Sequence, residues 1–139
     1  MYHSDLEVPL SKTIHILENM GFQVDSENPF AITAEDSSFH IREFQLRSSS
    51  GKPVPVAKIA EDFRVAFLKV WSGDIEDDGM NQLVMAAGLN WRQTTIMRSY
   101  ARYLLQIKIP YSFDYITDCL IGNADLAGNI TIQFVLGFK

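Results

Sequence analysis

The sequence predicts an α+β protein, with a helix-and-strand unit over residues 1–50 and a mainly helical segment of about four helices over residues 51–139. The spacing of apolar residues supports this division. It changes between strand and helix periods before residue 50 and follows the helix period almost throughout afterwards. Residues 48–53, rich in serine and containing one glycine and one proline, have the composition of a flexible connector.

In the first unit, a short amphipathic helix precedes three strand-like segments. Apolar residues of the helix recur between a suitable N-cap, Ser11, and a left-handed stop at Gly21. Residues 22–24 and 30–33 are strand-like, and the turn-forming residues between them predict either a hairpin or one bent strand. Residues 39–46 predict a third strand with a bulge in its middle, where the apolar alternation slips.

The helical segment begins with two predicted helices. The first carries an apolar stripe and ends near Gly73. The second is expected to begin at Asp74, because the acidic residues that follow suit the positive end of a helix dipole, and to end at Gly88. The same acidic run superficially resembles a calcium-binding loop, but the position that needs a chelating glutamate holds Met85. The sequence therefore predicts no calcium site.

Two further helices and an ambiguous tail complete the segment. Asn90 and Gln93 have the form of a capping box, which predicts a third helix that ends before Pro110. Ser112 is a suitable N-cap for a fourth helix. The apolar residues of 123–139 fit both the strand and the helix period, so both structures remain open for this tail.

The two sides of the third helix predict different roles. One arc of its helical wheel is apolar and is expected to be core. That arc contains Ile96, Met97, Tyr100, Tyr103, Leu104 and Ile107. Arg98 and Arg102 lie opposite and are expected to donate hydrogen bonds to acidic residues such as those at 74–78, or to an adjoining domain. Together with Trp91 and Leu105, also on the polar side, they are candidate interface residues; the alternative is packing within the same domain.

Composition excludes several classes of function. The net charge of -5 and the pI near 5.1 argue against a nucleic-acid surface, which needs a basic excess. No apolar run approaches the roughly 20 residues of a membrane helix, and the N-terminus does not resemble a signal peptide. The single cysteine, Cys119, has apolar neighbours and is expected to be a buried, unreactive thiol. The expected location is the cytoplasm.

The sequence contains no motif for a cofactor or a metal. Glycine-rich loops for dinucleotides or nucleoside triphosphates are absent. His3, His15 and His40 are scattered, and one cysteine offers no second thiolate to zinc. We therefore predict no catalytic, cofactor-binding or metal-binding residue in this chain.

Several motifs resemble the large bacterial NAD-specific glutamate dehydrogenases. Residues 9–11 (PLS) are followed by residues 17–21 (LENMG). Residues 79–84 (GMNQLV) are followed by residues 87–93 (AGLNWRQ), and residues 104–116 continue the resemblance in register. In order and spacing the resemblance covers nearly the whole chain and weakens after residue 121.

The resemblance implies that this chain is an internal fragment of a longer enzyme. The family combines ACT-type regulatory modules, helical motifs and a dehydrogenase domain, and this chain is similar to the last ACT-type module and the helices after it. An ACT module has the order βαββαβ; here its first strand is cut to Tyr2 and His3, and no segment is assigned to the final strand. Such modules bind small amino acids near the first strand-helix turn, which makes Ser4, Asp5 and Ser11 the candidate effector contacts.

The resemblance also implies a function. The parent enzyme would oxidatively deaminate L-glutamate to 2-oxoglutarate and ammonia with NAD, while this fragment, inactive alone, would regulate or scaffold the catalytic domain. Its expected partners are the rest of the parent chain, further copies of the enzyme and a small amino-acid effector, but neither nucleic acid nor a membrane. The alternative is a purely structural self-association module without an effector, which uses Trp91, Leu105 and the C-terminal aromatic residues.

Overall fold

The computed structural model describes residues 2–4 and 9–137 and confirms the α+β class. Its first elements follow the order βαββα. In chain order the described elements are β1 (Tyr2–Ser4), α1 (Leu10–Asn19), β2 (Phe22–Ala34), β3 (Ser37–Ser48), α2 (Val56–Trp71), a 3-10 turn (Gly79–Gln82), α3 (Leu83–Ala86), α4 (Trp91–Gln106), α5 (Phe113–Gly122) and α6 (Ala124–Gly137).

The sheet is antiparallel, with the strand order β1-β3-β2. Its second strand runs unbroken from residue 22 to residue 34, so of the two predicted structures the single bent strand is correct. The bulge that was predicted in β3 lies in β2 instead, because the register shifts between Val24 and Ser26 and leaves Asp25 as the extra residue. Arg47 of β3 pairs with the Asp25 carboxylate at 2.7 Å and braces this bulge.

The apolar pattern of β3 slips because its two halves use opposite faces of the sheet. Phe44 lies on the same face as Val24, and both pack against the helices. Nearer the hairpin tip, Phe39 is paired with Ile32 on the other face. A strand whose apolar residues change from one face of the sheet to the other shows the same slip in sequence as a strand with a bulge.

The first helix begins one residue before the predicted cap. Pro9 is the N-cap residue and no side chain caps the helix, so the prediction for Ser11 is wrong; Ser11 lies exposed in the first turn. The restricted φ of proline suits a helix start, and the amide groups of the first turn are not buried, so water can satisfy them in place of a serine cap. The helix ends as predicted at Gly21, whose φ is 93°.

Two hydrophobic cores organise the fold. The first joins α1 and α2 to the sheet and consists of Ile16, Leu17, Met20, Ala66, Phe67, Val70 and Val84. The second lies among α4, α5 and α6 and consists of Met80, Leu83, Leu89, Met97, Ala101 and Ala127. None of the helices in the described ranges combines the length and the hydropathy that crossing a bilayer requires.

The helical segment differs from its prediction at Asp74 and at Cys119, and its structure decides the alternative that was open for the tail. The second helix does not begin at Asp74, because Asp78 is the N-cap of the 3-10 turn that leads into the short α3. The ambiguous tail is helical, so five α-helices, α2 to α6, follow the connector in the part of the chain described. Cys119 is exposed rather than buried, because α5 turns it away from the second core.

Candidate functional site

The segment from Gly79 to Ala86 is shared by both cores, and we call it the joint. Val84 belongs to the first core, whereas Met80 and Leu83 belong to the second. All three side chains are at most 1% exposed. Burial on two sides makes the joint the element that holds the sheet-bearing unit against the last three helices.

Arg98 of α4 fastens the joint through a buried ion pair. Its Nε and Nη2 atoms donate to the two carboxylate oxygens of Asp78, each at 2.8 Å. Nη2 also donates to Oδ1 of Asn81 at 2.7 Å. Asn81 Nδ2 in turn donates to the backbone carbonyl of Glu76 at 2.8 Å. Arg98 is only 3% exposed, so this planar bidentate contact replaces the water that its guanidinium loses.

Asp78 also organises the backbone of the joint. Its Oδ1 accepts a hydrogen bond from the Met80 amide at 3.0 Å, which caps the 3-10 turn. One carboxylate thus sets the direction of the joint and neutralises Arg98. Because a buried charge is costly without its partner, removal of either side chain is expected to loosen the whole joint.

The other acidic residues of 74–78 act as tethers to three helices. Asp74 pairs with Lys69 of α2 at 3.4 Å, and Glu76 forms a two-point ion pair with Arg102 of α4. Asp77 accepts a hydrogen bond from Asn19 of α1 at 2.9 Å. These contacts confirm the prediction that the α4 arginines bind this acidic run. Within the described residues, no group of three potential ligands is arranged to hold a metal ion.

The orientation of α4 differs in part from the prediction: Met97 is buried as expected, but much of the predicted core arc is not. Its fully buried residues are Thr94, Met97, Arg98 and Ala101. Tyr100, Tyr103 and Ile107, expected in the core, are 46%, 56% and 54% exposed. The bond network of Arg98 and the small side chain of Ala101 draw this side of α4 onto the joint. Hydropathy alone therefore predicted the burial of Met97 correctly, but it placed Tyr100, Tyr103 and Ile107 in the core wrongly.

The exposed side of α4 continues onto α6. The ring of Tyr100 contacts Phe134 edge to face, with centroids 6.0 Å apart. Ile130, one turn before Phe134, is 38% exposed. We call Tyr100, Tyr103, Ile107, Ile130 and Phe134 the tyrosine face; none of its members is charged.

The predicted interface residues have different surroundings. Trp91 is half-buried and packs against the first core, with the Lys69 ammonium 5.0 Å from its ring centroid. Leu105 is half-buried, and Arg102 is exposed and paired with Glu76. Arg98 lies inside the packing of this chain and leaves no surface for a partner.

The predicted effector residues are only partly described. Ser4 is paired with Phe39 in the register of the sheet, and Ser11 is exposed in α1. Asp5 lies outside the described residues. An effector contact at these three positions stays a prediction.

Sequence reasoning missed the residues of the joint as a site. Asp78 was interpreted as part of an acidic helix start, and Asn81 was seen only within the GMNQLV motif. That motif was the available signal, because its apolar residues Met80, Leu83 and Val84 are at most 1% exposed and belong partly to one core and partly to the other. The capping box was predicted correctly: Asn90 accepts from the Gln93 amide at 2.9 Å, and Gln93 Oε1 accepts from the Asn90 amide at 3.0 Å.

An ACT-like unit fastened by a buried joint to a helical motif is the class of protein that these elements define. The glutamate dehydrogenase ACT3 domain matches residues 1–59, and the glutamate dehydrogenase helical motif 3 matches residues 75–139. The chain belongs to the NAD-specific glutamate dehydrogenase family.

Three relatives illustrate this membership, all of them NAD-specific glutamate dehydrogenases. The protein of Halomonas elongata is 32% identical over 138 residues, and that of Pseudomonas aeruginosa is 34% identical over 139 residues; each alignment covers 99% of this chain and 9% of the relative. The protein of Mycobacterium tuberculosis is 36% identical over 118 residues, covering 80% of this chain and 7% of the relative. The chain thus spans about a tenth of the length of these relatives.

Proposed function

We propose that this chain is a regulatory and scaffolding part of an NAD-dependent glutamate dehydrogenase and has no turnover of its own. The complete enzyme would deaminate L-glutamate oxidatively to 2-oxoglutarate and ammonia in the cytoplasm, with NAD bound by other parts of the polypeptide. The joint carries this proposal. A catalytic role for the Asp78 carboxylate is disfavoured, because both of its oxygens already accept hydrogen bonds from Arg98 and one also accepts from the Met80 amide.

The tyrosine face supports the scaffolding part of the proposal. Asp125 is the only charged residue among the 14 residues of α6, and Leu126, Ile132 and Leu136 are more than half exposed. A helix that is apolar on several sides is typical of an interior position. The relatives contain about ten times as much polypeptide as this chain, so the occupant that we assign to the face is an apolar helix of the same full-length polypeptide.

The ACT-like unit supports the regulatory part. An effector that binds this unit would favour one packing of the unit against the joint. Because the joint also packs against α4, the position of α4 would change with it. The measured consequence would be a change in the rate of glutamate oxidation when a small amino acid is added.

A chimera tests the proposal. This chain replaces the aligned segment of the Pseudomonas aeruginosa relative, and glutamate-dependent formation of NADH is compared for the chimera and for the isolated chain. We expect activity in the chimera and none in the isolated chain. Activity of the isolated chain would overturn the proposal.

Charges on the tyrosine face test scaffolding within the same chimera. The double substitution Tyr103→Lys, Ile107→Lys is expected to lower activity and thermal stability of the chimera while the isolated chain stays folded. Leu68→Lys on α2 is the matched control, since Leu68 is 49% exposed and lies outside the face. Equal behaviour of the face variant and the control would contradict the assigned role.

The structural alternative makes a different prediction. If the tyrosine face binds a second copy of this chain, light scattering over a concentration series will show a dimer that the double substitution abolishes. An effector would then have no influence on activity of the chimera.

A further inference from the structure

A cavity of about 310 Å³ lies where the ACT-like unit meets the helical motif. Its walls come from both parts of the molecule and from the connector between them. Gly21, Ser48 and Ser50 belong to the first unit, whereas Gln82 and Ile121 belong to the helical motif. A volume of this size is at the lower end of the range for small-molecule sites, which occur preferentially between domains.

The polar groups of this cavity are suited to an anion. The Lys52 ammonium and the Gln82 carboxamide have no hydrogen-bond or ion-pair partner within residues 2–4 and 9–137. The hydroxyl oxygens of Ser48 and Ser50 lie 2.9 Å apart on the same wall. No carboxylate belongs to the lining, although the chain as a whole carries a net charge of -5. The lining is therefore locally positive within an acidic protein.

The remaining walls are apolar and limit the ligand further. They are formed by Pro53, Val54, Pro55, Met85, Ala86, Ile121 and Ala124. Lys52 would neutralise one carboxylate, and the apolar walls would contact a short aliphatic chain.

Gly21 is the residue that lets Gln82 reach this cavity. A Cβ at position 21 would lie 2.8 Å from Cγ of Gln82, and the φ of 93° is one that residues with a side chain rarely adopt. The Gln82 side chain therefore lies directly over the end of α1. Gln82 is also part of the joint, which begins at Gly79, so the cavity and the joint have this residue in common.

We propose that this cavity binds a small aliphatic carboxylate, with Lys52 as its counter-ion and Gln82 as its second donor. Because the ligand touches the first unit, the connector and the joint, its binding stabilises their packing against one another. This site deepens the proposed regulatory function and rests on it. It is separate from Ser11, which lies in the first turn of α1, whereas Gly21 follows the other end of that helix.

Calorimetry and thermal unfolding of the 139-residue chain test the proposal. The probes are L-leucine, its 2-oxo acid and L-leucinamide, which lacks the carboxylate. We expect at least one of the two carboxylates to release heat and raise the Tm, and leucinamide to do neither. The amino acid and the 2-oxo acid together distinguish whether the ammonium group contributes.

Two variants locate the site. Lys52→Met and Gln82→Leu, which keep the shape of the side chains, are each expected to weaken binding about tenfold or more, the loss typical of one charge-assisted hydrogen bond. Lys58→Met is the matched control, because Lys58 is exposed on α2 outside the cavity.

The outcomes separate this site from the wider function. Binding that both variants leave unchanged would overturn the cavity site but would keep effector regulation, with the ligand elsewhere. No binding of either carboxylate would also overturn the cavity site, while the activity of the chimera would still decide the scaffolding role.

Discussion

The side of α4 that carries Arg98 and the side that carries Tyr100 and Tyr103 lie on one helix of 16 residues, yet they have different surroundings. The Arg98 side is covered by the joint, and Arg98 itself is 3% exposed. The tyrosine side contains aromatic rings that are about half exposed. A charged residue can be buried in the core if it forms an ion pair with a carboxylate there. An apolar helix side can be exposed in an isolated segment if the surface that covers it belongs to another part of a longer polypeptide.

The largest effect is expected at the buried ion pair. Arg98→Met should reduce the free energy of unfolding by about 3 kcal/mol, because it leaves the Asp78 carboxylate largely buried and without its partner. Chemical denaturation of the isolated chain measures the change. Asp78→Asn in the same background should cost little more, since the pair is already broken; additive losses would show that the two residues do not act together.

Gly21→Ala is expected to have the next largest effect. The positive φ and the contact with Gln82 should lower the free energy of unfolding by more than about 1 kcal/mol. Gly122→Ala is the control, because a Cβ there meets no atom within 4 Å and its φ is not positive. If both variants had the same stability, the close packing of Gln82 against Gly21 would not contribute to stability, and this prediction would be wrong.

The exposed ion pair one turn along α4 should matter far less than the buried one. Arg102→Met removes the pair with Glu76, whose side chains are 50% and 48% exposed, so we expect a loss of at most about 1 kcal/mol. The measurement is the same denaturation experiment. A loss equal to that of Arg98→Met would mean that burial does not distinguish the two arginines.

Substitution on the tyrosine face should leave the isolated chain almost unchanged. Tyr103→Ser is expected to alter the free energy of unfolding by no more than about 0.5 kcal/mol, because the ring is 56% exposed. In the chimera the same substitution should reduce thermal stability. Strong destabilisation of the monomeric isolated chain would place Tyr103 in its core and contradict the comparison.

The smallest effect concerns a fully exposed ion pair on α2. Hydrogen bonding to Arg64, with its positive charge, lowers the pKa of Glu61 below its ordinary value. The pair therefore favours the folded state above the ordinary pKa of the carboxyl group, and this contribution is lost as the pH falls through the lowered pKa. An NMR titration should show the lowered pKa, and Arg64→Gln should restore the ordinary one.

Local signals in the sequence predicted much of the fold. The capping box at Asn90, the stop at Gly21 and the pairing of the α4 arginines with the acidic run all depend on neighbouring residues or on simple charge complementarity. The α+β class followed from the same kind of pattern, because a change of apolar period is visible within a short window.

The remaining features depend on contacts that are distant in sequence. The buried side of α4 was chosen by Asp78, which lies 20 residues before Arg98, and a helical wheel contains no information about that partner. The slip in β3 has the same appearance whether it is caused by a bulge or by a change in the face that carries the apolar residues. The cavity could not be predicted either, because Lys52 and Gln82 line the same space only when the two units pack together.

Hydroxyl-radical footprinting of the isolated chain, at a concentration where it is monomeric, tests the central assignment of the two sides of α4 most directly. Oxidation is quantified at Tyr100, Tyr103 and Met97, the last of which is 4% exposed. We expect both tyrosines to be only partly protected relative to the denatured chain, because they are about half exposed, while Met97 is strongly protected despite its high intrinsic reactivity. Protected tyrosines together with a reactive Met97 would show that α4 buries its tyrosine side, and the joint described here would then be wrong.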